Sequence, residues 1–177
     1  MDILIPVLIV GIVAIFFGFT SGTAPLVSYN YGARKAERVR EAFRFLLTCC
    51  LVYSAAAWVV CMCIPRAIGG VFTDSEAIID VVGWALRVYM GGTVIFGAQI
   101  ACQQTFIALG NAKTSLFLAI LRKIILLIPL IYILPNFFAD KAFAVFLAEP
   151  IADFLAVLST AALFFFQFRK AMQSLEK

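Results

Sequence analysis

An uncharged apolar stretch occupies residues 45–64 and reads FLLTCCLVYSAAAWVVCMCI. A membrane-spanning helix needs about 20 mostly apolar residues, because about 30 Å of hydrocarbon must be crossed at 1.5 Å per residue. This stretch meets the requirement without any charged residue. It therefore predicts a transmembrane helix.

Four further stretches have the same character. They cover residues 3–27, 78–108, 114–134 and 142–168. The whole chain fits this pattern, since 64% of its 177 residues are hydrophobic and 14% are charged, too few charges to cover a soluble domain. The sequence predicts a single all-α polytopic membrane domain over residues 1–177, with about five transmembrane helices.

Lysine and arginine residues are concentrated on alternate connections. Five lie within residues 28–44, one within 110–113 and three in the tail, whereas residues 65–77 and 135–141 hold one each. Cytoplasmic loops carry the excess of basic residues. The sequence thus predicts a multi-pass plasma-membrane protein with a cytoplasmic C-terminus and an outward N-terminus, an arrangement typical of a fragment. Gly69-Gly70 predicts a plain turn in the second connection.

Charged residues occur deep inside two of the predicted spans, whereas Asp80 and Arg87 lie near the start of a third. Arg122 and Lys123 lie in the fourth, and Glu149 and Asp153 lie in the fifth. Each costs about 3 kcal/mol on insertion scales. Counted from Lys113 and from Arg169, the depths of Arg122 and Asp153 differ by about 10 Å. Two interpretations remain open: a charge pair or polar cavity that rearranges during transport, or a static ion pair that joins two helices.

Other residues in the spans are candidates for a transport path or for hinges. Amides near the middle of a span can line a path or bond neighbouring helices, and prolines can act as hinges or simply kink a helix. The path candidates among them are Gln99, Gln103 and Gln104, and the hinge candidates are Pro25, Pro129 and Pro150.

Enzymatic and nucleic-acid functions are not supported by the residues. The chain has no histidine, and its five cysteines lie in apolar stretches without metal-ligand spacing. No catalytic motif occurs, and the basic residues flank apolar spans instead of forming a nucleic-acid surface. We expect no enzyme activity, no metal, no cofactor and no nucleic-acid partner.

Three ordered motifs resemble the multidrug and toxic compound extrusion (MATE) family. The first reads GTAPLVSYNYGAR over residues 22–34, and the second reads QTFIALGNAKTS over residues 104–115 and continues to Leu121-Arg122 and Ile128-Pro129. The third reads LAEPIAD over residues 147–153. The residues that carry the family motifs most clearly are Tyr29, Asn30, Gly32, Gly110 and Asn111.

The resemblance implies helices eight to twelve of a fold with twelve helices in two lobes, an incomplete C-terminal lobe. It implies export of organic, often cationic, compounds (multidrug or xenobiotic efflux) by antiport with sodium ions or protons. Its partners would be membrane lipid, small organic cations, and the missing N-terminal lobe or a second copy. Some members carry a coupling carboxylate at the position of Ala98, so no coupling-ion site is identified in this chain.

Two alternatives to a MATE exporter stay open at this stage. One is a non-transporting membrane interaction subunit. The other is a lipid-linked sugar flippase of the wider superfamily, which would favour many basic residues in the cavity. Only three are available for that purpose: Arg87, Arg122 and Lys123.

Overall fold

Helices account for the whole framework of the described chain. The computed structural model describes the backbone of residues 4–176 and the side chains of residues 17–176. Within that part there are helices and no strands, which confirms the all-α fold class. The elements are α1 (Leu4–Gly32), α2 (Ala36–Cys63), α3 (Pro65–Phe72), α4 (Glu76–Tyr89), a 3-10 turn (Met90–Gly92), α5 (Thr93–Ala108), α6 (Ala112–Ile120), a π-helix (Leu121–Leu127), α7 (Ile128–Ile133), a second 3-10 turn (Leu134–Asn136) and α8 (Lys141–Leu175).

Four helical segments in the described part are long and apolar enough to cross a membrane. They are Ala36–Cys63, Glu76–Ala108, Ala112–Asn136 and Lys141–Leu175. Each contains, or nearly contains, one of the predicted stretches from the second to the fifth. The first predicted stretch, residues 3–27, lies largely outside the residues whose side chains are described, although the backbone from Leu4 is helical.

Two sequence-based predictions are wrong: the residue at which α2 begins and the structure of the second connection. Helix α2 begins at Ala36 rather than near residue 45, because Val39, Ala42 and Leu46 continue a buried stripe through the basic segment. The second connection is a helix followed by a short loop, not a plain turn. Gly69 lies inside α3, where an added Cβ would be 3.1 Å from a methyl carbon of Val82, so the glycine lets α3 pack closely on α4.

Helices α2 and α5 are in backbone contact. A Cβ added at Gly97 would lie 2.6 Å from the Ser54 hydroxyl oxygen and 2.7 Å from the Cys50 carbonyl carbon. Small residues at membrane helix interfaces allow such close approach. Leu46, Cys50 and Ala101 continue the contact as a buried cluster, so these two helices form a tightly packed pair.

Candidate functional site

Two spans depart from regular α-helical geometry, and a third span carries a proline at the same level of the bundle. The π-helix Leu121–Leu127 interrupts one span, the 3-10 turn Met90–Gly92 interrupts another, and Pro150 lies inside α8. A Cβ added at Gly92 would lie 3.1 Å from the Cα of Pro150 and 3.0 Å from the Cβ of Asp153. The 3-10 turn therefore rests directly on α8 beside Pro150, where any side chain larger than that of glycine would crowd the α8 backbone.

Four charged side chains meet next to this point. Arg122 donates from Nε to Oδ1 of Asp153 at 2.5 Å and from Nη2 to Oε1 of Glu149 at 2.8 Å. Lys123 donates from Nζ to the same Glu149 oxygen at 3.0 Å. Two cations and two carboxylates give a formal sum of zero. We call these four residues the charged cluster.

Burial differs across the charged cluster. The side chains of Glu149 and Asp153 are 7% and 5% exposed, and that of Arg122 is 15% exposed. The Lys123 side chain is 51% exposed. The guanidinium of Arg122 also lies 4.3 Å from the ring centroid of Phe96, a favourable cation–π distance. Arg122 is thus the buried centre of the charged cluster, and Lys123 is its edge.

The sequence explains this arrangement locally. Glu149 and Asp153 stand four apart on α8, so they share one helix face. Arg122 and Lys123 are adjacent and would diverge on a regular α-helix, but the wider i→i+5 turn of a π-helix reduces that divergence. Pro129 follows the π-helix, and its ring excludes the ordinary bond to the carbonyl of residue 125. The proline therefore favours the widened turn that lets both cations reach Glu149.

The predicted 10 Å difference in depth is wrong. Asn111 donates from Nδ2 to Oε1 of Gln167 at 2.5 Å, so these two residues are level. Arg122 lies eleven residues beyond Asn111, and Asp153 lies fourteen residues before Gln167. The remaining offset is about 4.5 Å, which an arginine side chain can span. Arg169 was an unsuitable reference, because α8 continues past it to Leu175.

The predicted glutamines do not join the charged cluster by any recorded bond. Gln99 is 1% exposed, and its Oε1 has no hydrogen-bond partner among the described residues. It stands seven residues after Gly92, so it faces the same way, towards α8. Gln103 and Gln104 are half-buried.

The family-motif residues lie at or near the ends of helices and do not belong to the charged cluster. Asn30 donates to the carbonyl of Leu26 in the last turns of α1, which Gly32 ends, and Tyr29 is 73% exposed. Gly110 has a φ of 79°, a conformation that glycine adopts without strain. Asn111 caps α6, accepting from the backbone N–H of Thr114.

The three predicted prolines have different surroundings. Pro129 follows the π-helix, and Pro150 touches the 3-10 turn, so both border the charged cluster. Pro25 lies inside α1 and is exposed, away from it.

Sequence reasoning missed three residues of this site as candidates. Glu149 was seen in the span but not proposed for the path, although its four-residue spacing from Asp153 was a readable signal. Gly92 was signalled only by the pair Gly91-Gly92 inside an apolar run. Phe96 had no signal, since it is one of eighteen phenylalanines.

Interrupted membrane helices around buried charges are typical of α-helical membrane transporters. A family model described as MatE matches residues 1–133 of the 177. The chain belongs to the MatE family of multidrug transporters.

Curated relatives are multidrug export proteins. The chain is 27% identical over 150 residues to the multidrug export protein MepA of Staphylococcus aureus (strain NCTC 8325), covering 81% of this chain and 32% of that protein. It is 23% identical over 146 residues to MepA of Staphylococcus saprophyticus, with the same coverage of 81% and 32%. The chain therefore spans about a third of the length of these relatives.

Solved structures share the fold. An inward-facing multidrug resistance MATE family transporter of the MOP superfamily superposes with a TM-score of 0.80 at 21% identity, covering 95% of this chain and 38% of that one. The MATE multidrug transporter DinF-BH gives a TM-score of 0.77 at 33% identity, covering 85% of this chain and 33% of that one. The packing of these helices is thus that of a MATE transporter segment.

Proposed function

We propose that the chain forms helices eight to twelve of a two-lobed exporter that moves organic, often cationic, compounds in exchange for sodium ions or protons. Family membership and the multidrug export relatives support this proposal. The observation that carries it is the charged cluster, whose charges sum to zero and whose carboxylates are buried where two spans lose regular α-helical geometry beside Pro150 of α8. The expected location is the plasma membrane.

The charged cluster can change partners without leaving a buried charge unpaired. Glu149 is shared between Arg122 and Lys123, so it keeps Lys123 if Arg122 withdraws. Arg122 then keeps Asp153. An unpaired buried charge costs several kcal/mol, and this shared carboxylate avoids that cost in both arrangements. The π-helix and the 3-10 turn beside it are the places where the spans can bend.

Export by such a protein should depend on an ion gradient. The test joins this chain to the first seven helices of a MepA relative and follows ethidium efflux from cells. We expect efflux that stops when an ionophore removes the sodium or proton gradient, because antiport draws on that gradient. Efflux that survives the loss of both gradients would contradict antiport, and a folded chimera without efflux would favour the interaction-subunit alternative.

We propose a cytoplasmic C-terminus on the basis of charge. At the end of the bundle where α8 ends, eight described basic residues outnumber three acidic ones (Arg34, Lys35, Arg38, Arg40, Arg44, Lys113, Arg169 and Lys170 against Glu37, Glu41 and Glu176). The opposite end carries Arg66 and Lys141 against Asp74, Glu76, Asp80 and Asp140. The positive-inside rule assigns the first end to the cytoplasm.

Cysteine labelling checks this orientation. Ser75→Cys and Ser174→Cys are placed separately in a variant without the five native cysteines, since both serines are exposed at opposite ends of the bundle. A membrane-impermeant maleimide should label intact cells at position 75 and only lysed cells at position 174. Labelling of both positions from one side would contradict the topology.

A further inference from the structure

An apolar groove opens on the surface formed by α2, α5 and α8. Its volume is about 550 Å³, and Phe43, Cys102 and Ala161 are among its lining residues. One wall is a run of aromatic rings, with Phe164 stacked 4.5 Å from Phe43 and 4.8 Å from Phe168 between centroids. None of the four residues of the charged cluster lines it.

Charged side chains lie at one end of the groove. Arg40, Arg169 and Glu176 all line it. Arg40 bonds to Glu176 at 2.6 Å, whereas Arg169 is exposed and has no ion pair within the described residues. Exposed Arg44 stands one turn further along α2. The rim therefore carries surplus positive charge above an apolar floor.

The dimensions of the groove match one leaflet of a bilayer. Ala161 and Arg169 are eight residues apart on α8, about 12 Å along the axis. Half of the hydrocarbon core is about 15 Å thick. An acyl chain lying in the groove with its polar end at Arg169 would thus extend over a length close to the thickness of one leaflet.

We propose that this groove holds an acyl chain of an anionic phospholipid, with the lipid phosphate bound by Arg169 and Arg40. The cationic rim complements the surplus negative charge of such a lipid, and it opposes entry of organic cations. The groove is too small to enclose a whole transmembrane helix, because a cylinder of helix diameter and this length takes about 900 Å³ or more. The lipid would bridge α2 and α8 at the end of the bundle where both basic segments lie.

The test compares substitutions at two adjacent basic residues of α8, Arg169 and Lys170. The purified chain is placed in nanodiscs of equal phosphatidylglycerol and phosphatidylcholine, re-extracted into detergent, and its retained lipid is counted by native mass spectrometry. We expect wild type to retain phosphatidylglycerol selectively. Arg169→Gln should lower the ratio of the two lipids about fivefold. Lys170→Gln removes the same charge from the same side but not from the groove lining, and it should leave the ratio near wild type.

A pair of glutamate variants and one variant that fills the groove distinguish lipid binding in the groove from a general effect of surface charge. Glu176→Gln frees Arg40 and should raise the ratio, whereas Glu37→Gln, outside this groove, should not. Ala161→Trp fills the apolar floor without changing charge and should abolish retention of both lipids. Equal effects of Arg169→Gln and Lys170→Gln, or full retention in Ala161→Trp, would overturn the proposal. So would a lipid-free wild type that migrates as a dimer, which would assign the groove to a second copy.

Discussion

Replacement of Asp153 by asparagine is expected to lower efflux per folded molecule about tenfold or more, with a smaller loss of folded protein. The variant keeps the shape of the side chain but leaves the charged cluster with a surplus positive charge. Arg122 retains its bond to Glu149, which limits the loss of folded protein. It can no longer leave Glu149 without becoming an unpaired buried charge, so one of the two arrangements is lost. A tenfold effect corresponds to about 1.4 kcal/mol. The measurement is ethidium efflux by the chimera with seven added helices, divided by the amount of folded chimera.

A double variant provides the control for charge balance. Arg122→Gln combined with Asp153→Asn removes one charge of each sign and leaves Lys123 paired with Glu149. We expect its folded amount to return to the wild-type level while efflux stays low. If the double variant recovers efflux as well, Arg122 and Asp153 form a static ion pair that joins two helices, and the proposed exchange of partners does not take place.

The second prediction is that the chain alone confers no drug resistance. Alternating access needs two lobes that move around a shared site. The chain covers about a third of its multidrug export relatives, 32% of the MepA protein of Staphylococcus aureus. Expression in a host without its own efflux pumps should give the same growth in ethidium as an empty vector.

The chimera is the positive control for that experiment. Joined to the first seven helices of a MepA relative, the same chain should raise resistance well above the vector. Resistance from the chain alone, abolished by Gln103→Ala or Arg122→Ala, would show that copies of the chain assemble a working transporter by themselves.

Much of the fold was predictable because apolar runs mark membrane helices directly. The runs at residues 78–108 and 142–168 lie within the structural segments Glu76–Ala108 and Lys141–Leu175. Boundaries at polar segments were not predictable in the same way. The start of α2 was misplaced because its buried stripe is small and interleaved with arginines, so mean apolarity falls although the helix continues.

The site was partly predictable, because a charge inside a span demands a partner. That reasoning named Arg122, Lys123 and Asp153, and in the structure Arg122 binds Asp153 directly and is linked to Lys123 through Glu149. Their register was not predictable, since it depends on a π-helix and on Gly92 fitting against Pro150. Both are consequences of packing between helices that are distant in sequence.

The contact at Gly97 fixes α2 and α5 relative to each other. The backbone of α5 meets the backbone of α2 there, and among the described residues the only side chain at the contact is the short one of Ser54. Sliding one helix along the other would bring main-chain atoms into collision, so we expect the two helices to behave as one rigid unit. The π-helix, the 3-10 turn and Pro150 lie outside this contact, so any bending of the spans at these places would occur relative to the fixed pair α2 and α5.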